Sequence, residues 1–536
     1  MSSTINPSLH FDNRWLRELP GDPEPRNFIR QVDRAAWSHA PATPVANPAL
    51  LAHSAEVAGL LGLSADALTT PEWVGALAGN HRLPGMQHYA TCYGGHQFGH
   101  WAGQLGDGRA IYLGEAIAQN GLRWELQLKG AGATPYSRNA DGRAVLRSSV
   151  REFLCSEAMH HLGVPTTRAL SLVGSGESVM RDMFYNGNPR AEAGAIVCRV
   201  APSFTRIGHF ELPAARGDHA LLRQLVAFTL SRDFPHITHG DEIERIGAWF
   251  AEVCARTGEL IARWMSVGFV HGVMNTDNIS ILGLTIDYGP YGWLEDFDPG
   301  WTPNTTDAEG RRYCFGRQPE IARWNLERLA IALRPLLPDD TLLTQGLQRY
   351  DASYGSSTTA LFAAKLGFPG WRDEHGPLLE RLFELLFHSE ADMTDFFRRL
   401  GELTVAANAG SALPLLAESS YAPERWAMQA QGWREWWQQY IALSAFPQVG
   451  AGDTAIAASL KRAERMHAAN PRYVLRNYLA QQVIEQAEAG DPTGIHELLD
   501  VLRRPYSEQP GRERFAEKRP EWARHKAGCS ALSCSS

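Results

Sequence analysis

The chain lacks most of the features that would take it out of the ordinary globular class. No run of its 536 residues approaches the roughly 18 apolar residues of a membrane span. The N-terminal MSSTINPSLHFDNRWLRELPGD has neither the apolar core of a signal peptide nor the Arg-rich, acid-poor pattern of a presequence. A cytoplasmic location with no membrane partner is therefore expected. Basic charge is not in excess: 51 Lys and Arg stand against 59 Asp and Glu, a net −8, which argues against a nucleic-acid partner. Cysteine is sparse and widely spaced (Cys92, Cys155, Cys198, Cys254, Cys314, Cys529, Cys534), odd in number and without CxxC, which excludes a zinc ribbon and disfavours a disulfide framework. The length itself implies two lobes or domains.

What is present centres on His271–Gly289, HGVMNTDNISILGLTIDYG. Set against the kinase signatures H-R-D-L-x-x-x-N and D-F-G, His271 and Asn278 fall on the His and Asn, and Asp287-Tyr288-Gly289 on D-F-G. Asn278 and Asp287 are then the candidate metal pair. The position of the kinase base holds Val273, and an Asp stands instead at 277.

Upstream, Tyr93–Arg109 reads YGGHQFGHWAGQLGDGR, with glycine at 94, 95, 99, 103, 106 and 108. Such a stretch permits the close backbone approach that cradling phosphate needs, although it is neither a Walker A motif nor G-x-G-x-x-G. Arg109 adds a cation after it. Trp124–Lys129 (WELQLK) alternates as a strand and puts Lys129 on its polar face. Ala144–Leu162 reads as a helix with one buried stripe, ended by Gly163 and Pro165, and Glu152 sits at the stripe's edge 23 residues after Lys129. A strand Lys facing a helix Glu is a kinase arrangement. Residues 167–182 read as two strands around a Gly-Ser-Gly turn, 194–201 as a strand carrying Arg199, and 279–286 as a strand pair delivering Asp287. Helices are expected at 218–232 and 241–267 and through most of the chain to about 504. The organisation is thus an N-terminal extension over 1–84 packing on the core, a smaller lobe over 85–215, a helical lobe over 216–504, and a polar, mobile tail over 505–536.

These residues resemble the selenoprotein O family, known in bacteria as YdiU. The resemblance is carried by GQLGDGRA (103–110), LQLKGAGATPYSRNADGRAVLRSSVREF (126–153), HGVMNTDNIS (271–280), TIDYGP (285–290) and NPRYVLRNYLAQQ (470–482). It implies an α+β, protein-kinase-like bilobal fold with a mixed β/α N-lobe and a large helical C-lobe. It also implies transfer of AMP from ATP, bound reversed relative to a kinase, to hydroxyls of protein substrates; UMP transfer is attributed to bacterial members. Carried over by motif, Lys129 and Glu152 form the ion pair, and Gly106, Gly108, Arg109, Asp141, Gly142, Arg199 and Arg206 hold the nucleotide. Asn278 and Asp287 hold Mg²⁺ or Mn²⁺, and Asp277 accepts the proton. A reversed triphosphate needs extra cations for its γ end, which the three arginines supply. The family's C-terminal redox residue corresponds to Cys534, with Cys529 five residues before it, so a redox partner is also implied. Two other readings stay open: an inactive nucleotide-binding scaffold, motivated by Val273, and a kinase-like phosphotransferase, motivated by the surviving metal pair.

Overall fold

The computed structural model describes residues 9–403, 409–444 and 453–533. It is a mixed α+β structure: an antiparallel sheet on one side and a larger helical assembly on the other. In chain order the strands are β1 (His10–Phe11), β2 (Trp37–His39), β3 (Ala49–His53), β4 (Tyr89–Thr91), β5 (Gly94–Gln97), β6 (His100–Gln104), β7 (Ala110–Ile117), β8 (Arg123–Lys129), β9 (Arg168–Arg181), β10 (Arg190–Ala201), β11 (Phe269–Val270) and β12 (Gly292–Trp293). The main sheet runs β2-β4-β7-β8-β10-β9-β3, with β1 added beside β7. The first 84 residues therefore contribute three strands to the sheet as well as covering it.

Two expectations about local structure are corrected. Residues 168–181 form one continuous strand, not two: the glycines at 174 and 176 are taken up where the β9–β10 register shifts, without breaking the strand. Residues 279–286 form no strand pair. Isolated bridges, Ile279 with Thr285, Thr166 with Thr285 and Arg206 with Ser280, hold this loop, which turns at Gly283.

The helix Leu146–His161 lies beneath the sheet. Every residue from Leu146 to Met159 is buried, so the expected single stripe is replaced by burial on all faces. The reason is long-range: the helices Asn477–Glu488 and Thr493–Leu502 pack on the face that would otherwise meet solvent. The long helix Glu242–Val267 begins with a capping box between Asp241 and Glu244 and ends at Gly268, whose φ of 72° is the left-handed C-terminal geometry that glycine adopts without cost. That stop aims the chain directly into β11 and His271.

Apolar burial falls into three bodies. One joins the sheet's inner face to the helices 146–161 and 242–267. A second lies between the sheet's other face and the N-terminal helices Ala55–Leu60 and Pro71–Leu77. A third fills the distal helices, where Trp433, Trp436, Trp437 and Tyr440 are core residues. The tail expectation is also corrected over 505–533. Phe515, Ala523 and Cys529 are buried, Tyr506 donates to Leu162 O at 2.9 Å, and Thr305 N donates to Leu532 O at 2.8 Å. Its polar composition concealed a few apolar anchors that find their partners only in the folded chain. No helix among the described residues is long and apolar enough to cross a membrane.

Candidate nucleotide site

Strand β8 sets the floor of the site. Its expected polar face is present, but it is buried rather than wet: Glu125, Gln127 and Lys129 share that face, and each has a partner. In the antiparallel register Gln127 lies opposite Arg199 of β10, and the Arg199 guanidinium donates to the Gln127 side-chain oxygen. Lys129 Nζ lies 2.5 Å from Glu152 Oε2 on the buried helix, and Arg199 reaches the other Glu152 oxygen at 3.2 Å. Burial pushes the Lys129 ammonium below its ordinary range, while Glu152 opposes that shift.

Asp287 faces this cluster. Its φ of 56° is left-handed, a region that Asp visits more readily than most residues. The loop around it is fixed by His271, whose ring stacks on Trp264 at 5.2 Å and hydrogen-bonds Ile286 O through Nε2 at 2.9 Å. Arg199 donates to Asp287 Oδ1 at 2.5 Å, and Arg206 donates to Oδ2. Burial disfavours the Asp287 carboxylate, but Arg206, Arg199 and Lys129 overcome it and hold the group far below the usual carboxylate range. Arg206, 1% exposed, also donates to Asp277 O at 2.9 Å and lies over the Tyr93 ring.

Asp277 has the opposite character. Burial raises it to about 7, against the pull of Arg206 and of a hydrogen bond from Gln97. Its Oδ1 is buried without a hydrogen-bond partner. Next to it, Asn278 donates through Nδ2 to Val273 O at 3.0 Å, which leaves its carbonyl oxygen free of that bond. The residues present fit a hard divalent ion: an amide oxygen at 278 and a carboxylate at 287 are suitable donors, and an oxygen that accepts one guanidinium N–H retains a second lone pair.

These groups line a cavity of about 670 Å³ with Gly106, Gly108, Arg109, Lys129, Asp141, Gly142, Arg199, Asp277, Asn278 and Asp287 on its wall. Glu152 and Arg206 stand just behind it, paired with Lys129 and Asp287. All twelve residues singled out from the sequence thus come together, though three behave differently from expectation. At Gly106, φ is 71° and an added Cβ would lie 2.4 Å from the Tyr136 ring. At Gly142 an added Cβ would meet the Gly132 backbone at 2.1 Å. Both glycines are required by the protein's own packing. Asp141 sits at the rim with both carboxylate oxygens engaged by Arg181, at 2.8 and 2.6 Å. Residues not anticipated on the wall include Gln97, Tyr136, Arg138, Arg181, Tyr185 and Asn275. Nothing in local sequence marks them, because strand pairing and loop return bring them in. Cys534 lies outside the described residues, and Cys529 is buried, its thiol pushed up to about 11.

Comparison with known proteins identifies the family. The family model described as protein adenylyltransferase SelO matches residues 26–503. The protein nucleotidyltransferase YdiU of Methylobacillus flagellatus is 61% identical over 528 residues, covering 98% of this chain and all of the relative. That of Tolumonas auensis is 60% identical over 98% of this chain and 99% of its own length. That of Aromatoleum aromaticum is 57% identical over 99% of this chain and all of its own. The chain belongs to the SelO family of protein adenylyltransferases, enzymes of nucleotidyl transfer.

Proposed function

We propose that the protein transfers AMP from ATP to Ser, Thr or Tyr hydroxyls of protein substrates, releasing pyrophosphate, and that UTP serves as a second nucleotide donor. The observation that carries this reading is the pairing of two carboxylates of opposite character in one cavity. Asp287 is held ionised among Arg199, Arg206 and Lys129, whereas Asp277 is buried and raised to about 7. The first suits binding of a cation and phosphates; the second suits acceptance of a proton near neutrality. The kinase-like bilobal reading is supported by the order of parts: Lys strand, Glu helix, and a loop ending at Asp287.

In the step itself, the substrate hydroxyl oxygen bonds to the α-phosphorus as the bond to the pyrophosphate oxygen breaks. Asp277 takes the hydroxyl proton. Lys129 and Arg109 neutralise phosphate oxygens, Arg199 meets the buried end of a triphosphate whose α-phosphorus lies toward Asp277, and Arg206 adds positive charge from behind Asp287. A Mg²⁺ or Mn²⁺ ion held by Asn278 and Asp287 would add charge neutralisation on the phosphates. Val273 at the kinase base position is 7% exposed and offers no acceptor, so proton removal falls to Asp277.

A second reading has its own observation: both Asp287 oxygens are already bonded to arginines, as in a scaffold that binds nucleotide without turnover. Incubation with α-³²P-ATP and, separately, γ-³²P-ATP distinguishes them. Label on protein from the α nucleotide alone supports adenylyl transfer. Label from the γ nucleotide alone would overturn it, and nucleotide binding with no label from either favours the scaffold. Asp287→Ala is expected to abolish the α label.

A further inference from the structure

The Gly-rich stretch 93–109 divides into two parts with different tasks. Residues 105–109 line the nucleotide cavity and are pinned from outside, with Thr134 donating to Asp107 O at 2.7 Å and Ser137 donating to Gly108 O. Residues 94–104 form the β5–β6 hairpin, whose tip, Phe98 at φ 50° and Gly99 at φ 86°, has the left-handed pair of a tight two-residue turn. This hairpin lies on the loop that carries Asp277, and four consecutive residues of it touch that loop.

An added Cβ at Gly95 would stand 2.8 Å from Asp277 Oδ1, so the absence of a side chain there lets the carboxylate pack beneath the strand. His96 N donates to Thr276 Oγ1 at 2.7 Å, and its ring Nδ1 meets Glu211 Oε1 at 2.7 Å. Gln97 Nε2 donates to Asp277 Oδ2 at 3.2 Å. Phe98 N donates to Asn275 Oδ1 at 3.2 Å, an oxygen that also accepts from the Tyr313 hydroxyl at 2.7 Å. The hairpin is therefore keyed to Asn275, Thr276 and Asp277 in register.

We infer that Gln97 is a positioning residue for nucleotidyl transfer: its amide fixes the Asp277 carboxylate in the rotamer that presents Oδ2 to the incoming hydroxyl. Two observations single out that oxygen. Oδ1 is buried under Gly95 with no hydrogen-bond partner. Oδ2 holds a single N–H from a side chain that itself lines the cavity, and it keeps a second lone pair. A neutral amide suits this role. A Lys or Arg at position 97 would pair with the carboxylate and remove its basicity, whereas an amide orients it and leaves it able to accept a proton. The inference rests on the reading of Asp277 as proton acceptor.

The test uses the full-length enzyme with α-³²P-ATP and a divalent metal, following self-labelling and pyrophosphate release. Gln97→Met keeps the side-chain length and loses the donor. It is expected to lower kcat about tenfold, the scale of a misoriented catalytic group, with KM for ATP changed less than about twofold. Gln97→Ala is expected to fall at least as far, and unchanged circular dichroism of either variant shows that the fold is kept. In an Asp277→Asn background, Gln97→Met is expected to have no further effect on the residual rate. Wild-type kcat in Gln97→Met overturns the inference, as does an equal loss in both backgrounds or a loss confined to KM for ATP. The two readings fail separately. Full transfer by Asp277→Asn removes the acceptor role and the Gln97 inference with it. An inactive Asp277→Asn beside a fully active Gln97→Met removes only the role of Gln97.

Discussion

Cutting the buried Lys129–Glu152 pair from its two sides should have unequal costs, and the inequality can be worked from the contacts. Glu152 lies between two cations, Lys129 at 2.5 Å and Arg199 at 3.2 Å, and neither pair reaches solvent to any extent, with side-chain exposures of 11%, 3% and 3%. Lys129→Met removes one partner but leaves Glu152 its arginine. The loss is one charge-assisted hydrogen bond, roughly 1.5–3 kcal/mol. Part of that is offset, because Lys129 also repels Arg109 and Arg199; the net expectation is about 1–2 kcal/mol. Glu152→Gln removes the anion shared by both cations and leaves Lys129 buried, its charge met only by the more distant Asp287. Loss of one member of a buried pair costs about 3–5 kcal/mol when the other charge is left behind. Equilibrium urea unfolding at neutral pH, followed by tryptophan fluorescence, should rank Glu152→Gln below Lys129→Met by about 2 kcal/mol. Both variants should lose adenylyl transfer. Equal destabilisation, or the reverse order, would refute the three-centre arrangement of Lys129, Glu152 and Arg199.

Other outcomes follow from the same kind of reasoning. Gly106→Ala should cost about 2–4 kcal/mol, combining the left-handed backbone penalty with displacement of the Tyr136 ring. Gly121→Ala, with φ 80° but nothing within 4 Å, should lose only the backbone part; thermal unfolding of the two variants compares them, and equal losses would discount the ring contact. Buried His88 is held down to about 4 by desolvation and by Arg82, against an ordinary 6.5. Its proton is bound more tightly by the unfolded chain, so this contribution is complete above pH 6.5 and is lost as pH falls toward 4. At pH 5 the loss amounts to about 2 kcal/mol. His88→Gln should flatten stability between pH 7 and 5, and an unchanged slope would assign the dependence elsewhere. Phe515→Ala should destabilise by about 3–5 kcal/mol if residues 505–533 are part of the packed structure. Wild-type stability in urea would show that the segment contributes nothing to the fold.

The sequence determined the parts of the site whose geometry is local. Lys129 is placed by the period of a strand, Glu152 by the phase of a helix, and Asn278 and Asp287 by fixed spacing from His271, so their identities were legible without coordinates. The helix 242–267 was legible for the same reason, since its cap and its glycine stop lie in the adjoining residues. Tertiary structure decided which charges meet which. Arg199 and Arg206 were read as cations for phosphate, but only the fold shows both closing on Asp287. Asp141 was read as a nucleotide ligand, and the fold pairs it with Arg181 from β9. Gly106 was read as room for phosphate and Gly142 as part of the nucleotide site by resemblance, and the fold sets Tyr136 and Gly132 where their side chains would stand. The stretch 93–109 was read as one Gly-rich phosphate cradle, whereas its hairpin 94–104 holds Asp277 across 180 residues of chain. The tail 505–533 was read as free because its composition is polar, yet a few buried contacts suffice to fix it. Backbone periodicity and motif spacing act over a few residues and are written in the sequence. Pairing of buried charges and docking of loops depend on which distant segments the folded core brings together, and no local pattern encodes that.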